Sequence, residues 1–514
     1  MRDLQLSGQT ARPRVLFRGS GHALRLIVAL VLASAMTLSM SPTVTARADD
    51  VNLTPGPTVI KDPSSPTGYT GHFVYYDPNA TSVRFVADIL LRDWEDPADP
   101  TVYQPSEYRP GLMRGGGAYD VEMTEVGDGY WVTDVPLAAG ANQYWFYVDD
   151  NTAHWVTDPA NSPIYAPDGL TGNARRAFNK VNVPYDPEKQ GFAPMAAREI
   201  ENPRADAPSG TWSYVPFDVA GTTRTMGVYL PPGYDPDRAE PYKTIYMQHG
   251  GGQDQSDWMN IGSVPVIMDN LVQDGLTEPA VVITTATNYL GAPSAGYPNL
   301  RDVVLPFVES SYNVSKHPAD RAFAGLSGGS IVTQNIINHD PTLFGYYGPW
   351  SGGVRVNSAT PNLAAPYILY GGGAWDFGLP NPTAVAALDD VAFVENVVVA
   401  GAHDFNAWNQ LFTTFARDYL WKPEAFIADE VNLLKDRVAS TSLNQGTRNA
   451  LAAKLDQGLR LLTKDENGTS GVLSGFVVQV GELRSADKLT DEEAASLVET
   501  AEQVIFNVGY WQNG

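Results

Sequence analysis

The sequence has 514 residues, with 34 basic and 58 acidic side chains and a formal net charge of −24. At about 100–200 residues per domain, this length predicts about three domains. The acidic balance excludes a surface that binds nucleic acid or anionic lipid, because such surfaces need a positive field. The sequence contains no cysteine, which excludes disulfides, thiolate metal sites and cysteine nucleophiles.

Residues 1–48 have the pattern of a secretory signal peptide. They contain six arginines and one acidic residue, a net charge of +5, which leaves −29 on the rest of the chain. An apolar run, Leu26 to Met40, precedes the small-residue site Ala46-Arg47-Ala48. This run is shorter than the roughly 20 residues that span a membrane. We therefore expect cleavage near Ala48 and a secreted protein without a membrane span.

The region 49–171 has the pattern of a β-sandwich. Short alternating runs such as 82–87 and 143–148 are separated by turn residues, as at Asp77-Pro78-Asn79. Strand-length runs at short spacing, without a helical stretch, are typical of a sandwich of about 100 residues. The stretch 172–208 is rich in proline and charge, which predicts a linker.

The region 209–424 alternates apolar strands with amphipathic helices, which predicts a mostly parallel sheet covered on both faces. The candidate strands are Thr244–Gln248, Ala280–Thr285, Arg321–Gly325, Tyr367–Tyr370 and Asn396–Ala400. The candidate helices are Val264–Asp274, Leu300–Tyr312, Ser330–Asn338 and Asn406–Trp421. The region 425–514 is predicted to be a small helical bundle without chemistry of its own.

The segment Gly325-Leu326-Ser327-Gly328-Gly329 matches G-x-S-x-G and occurs once in the chain. It stands between an apolar strand and a helix, as a nucleophile elbow requires. The elbow holds serine in a strained turn that leaves no room for side chains on either side. The pattern predicts Ser327 as a nucleophile.

The base that activates this serine should follow it in the chain. His339 lies at the far end of the helix that Ser327 opens, so it should point away from the elbow. His403 follows a predicted strand and lies in a strand-end loop, where a base can reach the serine. His249 is a competing base, but it precedes the serine, and we expect it to shape a loop instead.

The acid should lie between serine and histidine, in a strand-end loop beside the histidine loop. Asp376 meets this requirement, and the pair Asp389/Asp390 in a predicted helix is the alternative. The loop His249-Gly250-Gly251-Gly252 follows another strand and has the composition of an oxyanion loop. We expect the oxyanion N–H groups to be those of Gly251 and Gly328.

On these residues, the region 209–422 resembles the α/β-hydrolases of carbohydrate esterase family 1 and the enterochelin-esterase type. This group includes feruloyl esterases, acetylxylan esterases and mycolyltransferase antigens. The resemblance implies that Ser327, Asp376 and His403 are the catalytic triad. Its matching segments are 228–234, 249–252 with Asp257-Trp258, 305–312, 325–329, and 401–403 with Trp408.

The flanking regions resemble accessory modules. Residues 78–83 and 157–161 are similar to the Ig-like, glycogen-binding-like module of CBM48 type, and the tail at 475–480 and 488–490 is similar to a FIMAH-type helical module. We expect the β-module to pack on the enzyme. The alternative is that Trp94, Trp131 and Trp155 stack on sugar rings.

Two interpretations complete the predicted site. Trp258 follows the oxyanion loop, where it could line the substrate groove or pack in the core. The acidic run 93–99 does not have EF-hand spacing, so we interpret it as a solvated loop. We expect no metal and no cofactor.

The sequence therefore predicts a secreted serine esterase. The resemblance implies that its substrates are acetyl or feruloyl esters on polysaccharide. One alternative is an acyltransferase of the mycolyltransferase type, which would use the same residues. The other is a carbohydrate-binding or surface protein without activity. The sequence does not give the acyl group, the alcohol or the oligomeric state.

Overall fold

The computed structural model describes residues 53–167, 178–205, 207–290, 297–388, 392–462, 464 and 466–512. The predicted signal peptide and the alternative acids Asp389 and Asp390 lie outside these residues.

The first region is a sandwich of two four-stranded sheets, with strand orders β1-β2-β8-β7 and β10-β9-β3-β6, beside a small β4–β5 pair. Phe85 and Phe146 lie in its core and are fully buried. The strands are β1 Gly56–Lys61, β2 Tyr69–Tyr76, β3 Val83–Ala87, β4 Leu91–Asp93, β5 Leu112–Arg114, β6 Tyr119–Glu122, β7 Thr124–Gly127, β8 Tyr130–Pro136, β9 Gly140–Val148 and β10 Asn179–Val183.

Part of the predicted linker belongs to this sandwich. Strand β10 lies within the stretch 172–208 and pairs antiparallel with β9. Its valines, Val181 and Val183, are buried in the sandwich core. The prolines around this short strand explain why composition alone indicates a linker, although the strand closes a sheet edge.

The second region is an eight-stranded sheet of order β11-β12-β14-β13-β15-β16-β17-β18. Strands β13 to β18 are parallel, and β11 and β12 extend the sheet as an antiparallel hairpin. The strands are β11 Thr211–Val219, β12 Thr222–Leu230, β13 Lys243–Gln248, β14 Ala280–Thr285, β15 Arg321–Leu326, β16 Tyr346–Trp350, β17 Tyr367–Gly373 and β18 Phe393–Val399.

Helices flank this sheet, and apolar clusters lie on both of its faces, as a parallel sheet requires. The predicted α/β fold class is confirmed. The helices are α1 Ala193–Ala196, α2 Val264–Gln273, α3 Thr287–Leu290, α4 Tyr297–Asn299, α5 Leu305–Ser311, α6 Gly328–His339, α7 Pro382–Ala386 and α8 Phe405–Thr414; π-turns cover Leu300–Val304 and Phe415–Tyr419.

The C-terminal region is formed by the four helices α9 Pro423–Ser440, α10 Gln445–Leu461, α11 Glu466–Ser485 and α12 Asp491–Gln512. Its apolar side continues the core of the sheet region. The ring of Trp511 packs 4.9 Å from that of Tyr346, and the ring of Phe426 stacks 4.2 Å from that of Tyr367. The described residues from Leu53 to the end of α12 belong to one compact unit, so the four helices are part of the same body as the sheet. No helix in the described ranges is long and apolar enough to cross a membrane.

A buried ion pair joins the sandwich to the sheet region. The guanidinium of Arg198 donates to Glu201 Oε2 at 3.0 Å, and both side chains are at most 2% exposed. The same carboxylate oxygen accepts from the backbone N–H of Ala141 in β9, while Arg198 also donates to the carbonyl of Asn406 in α8. One ion pair therefore holds elements of both regions.

We predict that Arg198→Ala lowers the free energy of unfolding by about 3–5 kcal/mol, because Glu201 is left as a buried charge without its partner. The matched control is Arg84→Ala, which removes an ion pair with Asp120 whose side chains are 34% and 31% exposed. The control should cost about 1 kcal/mol or less. Urea titration of both variants measures the difference, and equal losses would contradict the structural role of Arg198.

Candidate active site

Ser327 lies at the junction of β15 and α6 and has a strained backbone. Its φ is 52° and its ψ is −113°, a conformation that costs a non-glycine residue on the order of 1–3 kcal/mol. Neighbouring elements hold it there: Ser327 N donates to Trp350 O at 2.9 Å, and Ser327 O accepts from Ile331 N at 3.3 Å. The turn lifts the serine out of the sheet at the carboxyl end of β15.

The two outer glycines of the motif are required by close backbone contacts. A Cβ at Gly325 would lie 2.4 Å from Gly329 O. A Cβ at Gly329 would lie 2.5 Å from Gln248 O at the end of β13. The helix α6 can therefore begin directly against the neighbouring strand only when both positions lack a side chain.

Asp376 and His403 form a hydrogen-bonded pair at the carboxyl ends of β17 and β18. Asp376 Oδ1 lies 2.7 Å from His403 Nδ1, and the carboxylate side chain is 0% exposed. Because the carboxylate accepts at Nδ1, that nitrogen carries the hydrogen, which leaves Nε2 as the free basic atom. Gly378 N also donates to Asp376 Oδ1, at 2.6 Å, and fixes the carboxylate.

A chain of contacts connects His403 to the serine turn. The ring of Trp408 packs edge-on against the imidazole, with centroids 5.3 Å apart. Trp408 Nε1 donates to Ser351 Oγ at 2.8 Å, and Ser351 directly follows Trp350, whose carbonyl holds Ser327 N. The histidine and serine loops therefore share one set of supports.

The glycine loop after β13 lies against the serine turn. A Cβ at Gly328 would lie 3.3 Å from Gly251 N, and a Cβ at Gly250 would lie 3.2 Å from Ser327 Cβ. Gly250 N is engaged, because it donates to Gln253 Oε1 at 2.8 Å. In the described part of the chain, the N–H groups of Gly251 and Gly328 have no acceptor. Two adjacent donors are therefore free to bind an oxygen atom.

His249 supports the glycine loop from the protein interior. It is 1% exposed, and its Nδ1 lies 2.7 Å from Gly250 O while its Nε2 accepts from Thr287 N at 3.3 Å. A neutral ring satisfies both contacts, and burial lowers the pKa of His249, which favours this neutral form. His339 lies at the exposed end of α6, where its Nδ1 contacts Asn335 O at 2.8 Å.

Trp258 does not line a groove, which corrects one interpretation of the sequence. Its side chain is 0% exposed, and its Nε1 donates to Gln248 O at 3.1 Å. Its ring packs against those of Trp350 and Phe405. Trp258 therefore supports the start of the glycine loop from the core and has no exposed surface that could contact a substrate.

The sequence did not indicate Phe377, the residue after Asp376. Its side chain is 88% exposed, and its ring stacks on the His403 imidazole with centroids 4.0 Å apart and planes 28° apart. The only signal in the sequence is its position beside Asp376.

The tryptophans of the sandwich have different surroundings. Trp131 is buried, and Trp155 stacks on Trp145 at 5.1 Å. Trp94 packs edge-on against Trp375, the residue before the acid, at 6.3 Å. The sandwich therefore reaches the loop that carries Asp376.

Within the described ranges, no group of three His, Asp or Glu side chains could hold a metal ion.

Residues 218–464 match the family model named Esterase. An endo-1,4-beta-xylanase/feruloyl esterase of Xylanibacter ruminicola is 31% identical over 231 residues, which are 42% of this chain and 32% of that protein. Endo-1,4-beta-xylanase Y of Acetivibrio thermocellus is 30% identical over 142 residues, 25% of this chain and 13% of that protein. The chain thus spans a third or less of these two relatives. These matches support an esterase family for this region.

Solved structures of esterases are similar over larger shares of their own chains. A mutant of the feruloyl esterase module from clostridium thermocellum, complexed with sinapinate, aligns with a TM-score of 0.38 at 20% identity, over 42% of this chain and 89% of its own. The enterobactin esterase FES from Shigella flexneri aligns with a TM-score of 0.43 at 15% identity, over 72% of this chain and 96% of its own.

We predict that Gly329→Ala lowers the free energy of unfolding by more than about 2 kcal/mol, because the new Cβ would overlap the carbonyl of Gln248. The matched control is Gly481→Ala in α11, where a Cβ meets nothing within 4 Å. The control should be neutral or stabilising by up to about 1 kcal/mol. Thermal and urea unfolding measure both effects, and a neutral Gly329→Ala would contradict the packing described for the turn.

Proposed function

We propose that this protein is a serine esterase in which Ser327, His403 and Asp376 act as a catalytic triad. The observation that carries the proposal is the partly buried hydrogen bond, 2.7 Å long, between Asp376 and His403. The loop of His403 shares its supports with the strained turn of Ser327. A carboxylate that fixes the imidazole tautomer leaves Nε2 ready to accept a proton. The matches of residues 218–464 to esterases support the same reaction class.

In the proposed reaction, Ser327 Oγ attacks the ester carbonyl carbon while His403 Nε2 takes the hydroxyl proton. The carbonyl oxygen becomes an oxyanion and accepts hydrogen bonds from the N–H groups of Gly251 and Gly328. Collapse of this intermediate breaks the bond to the alcohol oxygen, which leaves with the proton from His403. Water then attacks the acyl-enzyme with the same help, and the products are one acid and one alcohol.

The strained turn of Ser327 places the serine hydroxyl for this reaction. A serine at φ 52° stands clear of the sheet, where its Oγ can approach a substrate. The cost of the strained backbone is offset by the hydrogen bond that Ser327 N donates to Trp350 O in β16 and by the close packing of α6 on β13. The nucleophile is therefore held before the substrate arrives, which reduces the ordering needed at the transition state.

We propose acetyl or feruloyl esters on polysaccharide as the substrate class. The support is the region of similarity to a xylanase/feruloyl esterase, at 31% identity over 231 residues. The acidic chain, with a net charge of −24, suits largely uncharged esters.

We also propose that residues 1–48 direct export and are then removed. Mass spectrometry of the protein from culture medium tests this proposal, with Asp49 as the expected first residue.

We predict that Ser327→Ala lowers kcat by about 10⁴-fold or more, and that Asp376→Asn lowers it by about 10⁴-fold because the imidazole loses its tautomer. The assay is hydrolysis of p-nitrophenyl acetate and methyl ferulate, with circular dichroism to verify folding. The matched control is Ser310→Ala, an exposed serine whose Oγ donates only to Phe307 O. Retained activity in folded Ser327→Ala would overturn the assigned mechanism, and an inactive wild type across acyl lengths would favour a binding protein.

A further inference from the structure

Phe377 is placed unusually for an apolar side chain. At 88% exposure it is the most exposed large hydrophobic residue in the described part of the chain. One face of its ring lies on the His403 imidazole, at a centroid distance of 4.0 Å. It belongs to none of the four apolar clusters formed by the described residues, so core packing does not account for its presence.

The backbone on both sides of Phe377 is fixed, so the ring is presented on a firm support. Gly378 N donates to Asp376 Oδ1 at 2.6 Å, and Leu379 N donates to Asp376 O at 3.2 Å. Gly353 N donates to Gly378 O at 3.1 Å. A Cβ at Gly378 would lie 2.3 Å from Ser351 O, so the turn packs directly on the loop after β16.

The chemistry of the site determines which part of a substrate meets this ring. In the proposed reaction, His403 Nε2 must deliver a proton to the leaving alcohol oxygen, whereas the carbonyl oxygen lies at the N–H groups of Gly251 and Gly328. A ring stacked on the imidazole therefore lies on the alcohol side of the ester. The acyl group lies on the other side of the ester bond, away from Phe377.

We propose that Phe377 is the specificity residue for the alcohol, and that it binds the C–H face of a sugar ring. This inference rests on the proposed esterase function. A single exposed aromatic face suits a ligand with one apolar surface and hydrated edges, because its hydroxyl groups stay in water while its flat face covers the phenyl ring. A fully apolar alcohol would need an enclosed pocket instead.

The residues next to the exposed ring of Phe377 are compatible with an uncharged ligand. Trp375, two residues before Phe377, packs against Trp94 of the sandwich and donates from Nε1 to Pro97 O at 3.2 Å. Glu95 and Asp96 lie in the same sandwich loop and are exposed. Arg92 lies over the Trp375 ring, with its Cζ 5.9 Å from the ring centroid, so this part of the sandwich carries charges of both signs and does not favour a charged alcohol.

The test compares two esters of the same acyl group, ferulate or acetate, whichever the wild-type protein hydrolyses faster. One is the ester of a monosaccharide hydroxyl, and the other is the methyl ester. We expect Phe377→Ala to lower the ratio of kcat/KM for the sugar ester to that for the methyl ester by about three- to tenfold, mainly through KM. Phe377→Tyr, which keeps the aromatic face, should restore the wild-type ratio.

The ratio separates sugar binding from any effect of the ring on the imidazole, which would slow both esters equally. The matched control is Phe506→Ala in α12, because Phe506 is also an exposed phenylalanine, at 41%. An unchanged ratio in Phe377→Ala, or an equal loss of kcat/KM on both esters, would show that Phe377 does not bind the sugar. Either result would leave the esterase function intact. No hydrolysis of either ester by the wild type would instead overturn the proposed function.

Discussion

The close contact between the serine turn and the end of β13 is the constraint on which the rest of the site depends. Helix α6 begins against the carbonyl of Gln248, and a single added Cβ at Gly329 would lie 2.5 Å from that oxygen. This contact brings the glycine loop after β13 beside Ser327. The loop and helix α6 begin at the carboxyl ends of two neighbouring parallel strands, β13 and β15. The free N–H groups of Gly251 and Gly328 are neighbours for the same reason. The packing of these glycines therefore leaves two N–H groups side by side, as the proposed oxyanion site requires.

The sandwich is part of the scaffold of this site. Ala400 and the partly buried Trp375 share an apolar cluster with Leu91 and Met113 of the small β4–β5 pair. A Cβ at Gly115 would lie 2.9 Å from Gly401 Cα, which shows how closely the sandwich approaches the histidine loop. The buried pair of Arg198 and Glu201 fastens the same junction. The loops that carry the acid and the histidine are thus held between the sheet and the sandwich.

Local sequence signals were sufficient to predict much of the sheet and to locate the candidate residues. Ser327, Asp376 and His403 each follow a short apolar run in a chain with few histidines and one G-x-S-x-G segment. The structure brings the carboxylate and the imidazole within 2.7 Å, which spacing alone could not establish. Strand order explains this proximity, since β17 and β18 are neighbours.

Other features depend on long-range packing or unusual turns. The hairpin of β11 and β12 turns at Ala220 and Gly221, both with positive φ, of 52° and 81°. Such turns favour Asn-Gly, so Ala-Gly gives a weak signal. Whether Trp258 faces a groove or the core depends on Trp350 and Phe405, which are distant in sequence.

Covalent labelling with a fluorophosphonate, which reacts with an activated serine, tests whether Ser327 is the nucleophile. We expect one adduct per chain in intact-protein mass spectrometry, and peptide mapping should place it on Ser327. Labelling should disappear in Ser327→Ala and slow strongly in His403→Ala, because the hydroxyl then lacks its base. An adduct on another residue, or ester hydrolysis by a protein that takes no label, would show that Ser327 is not the nucleophile.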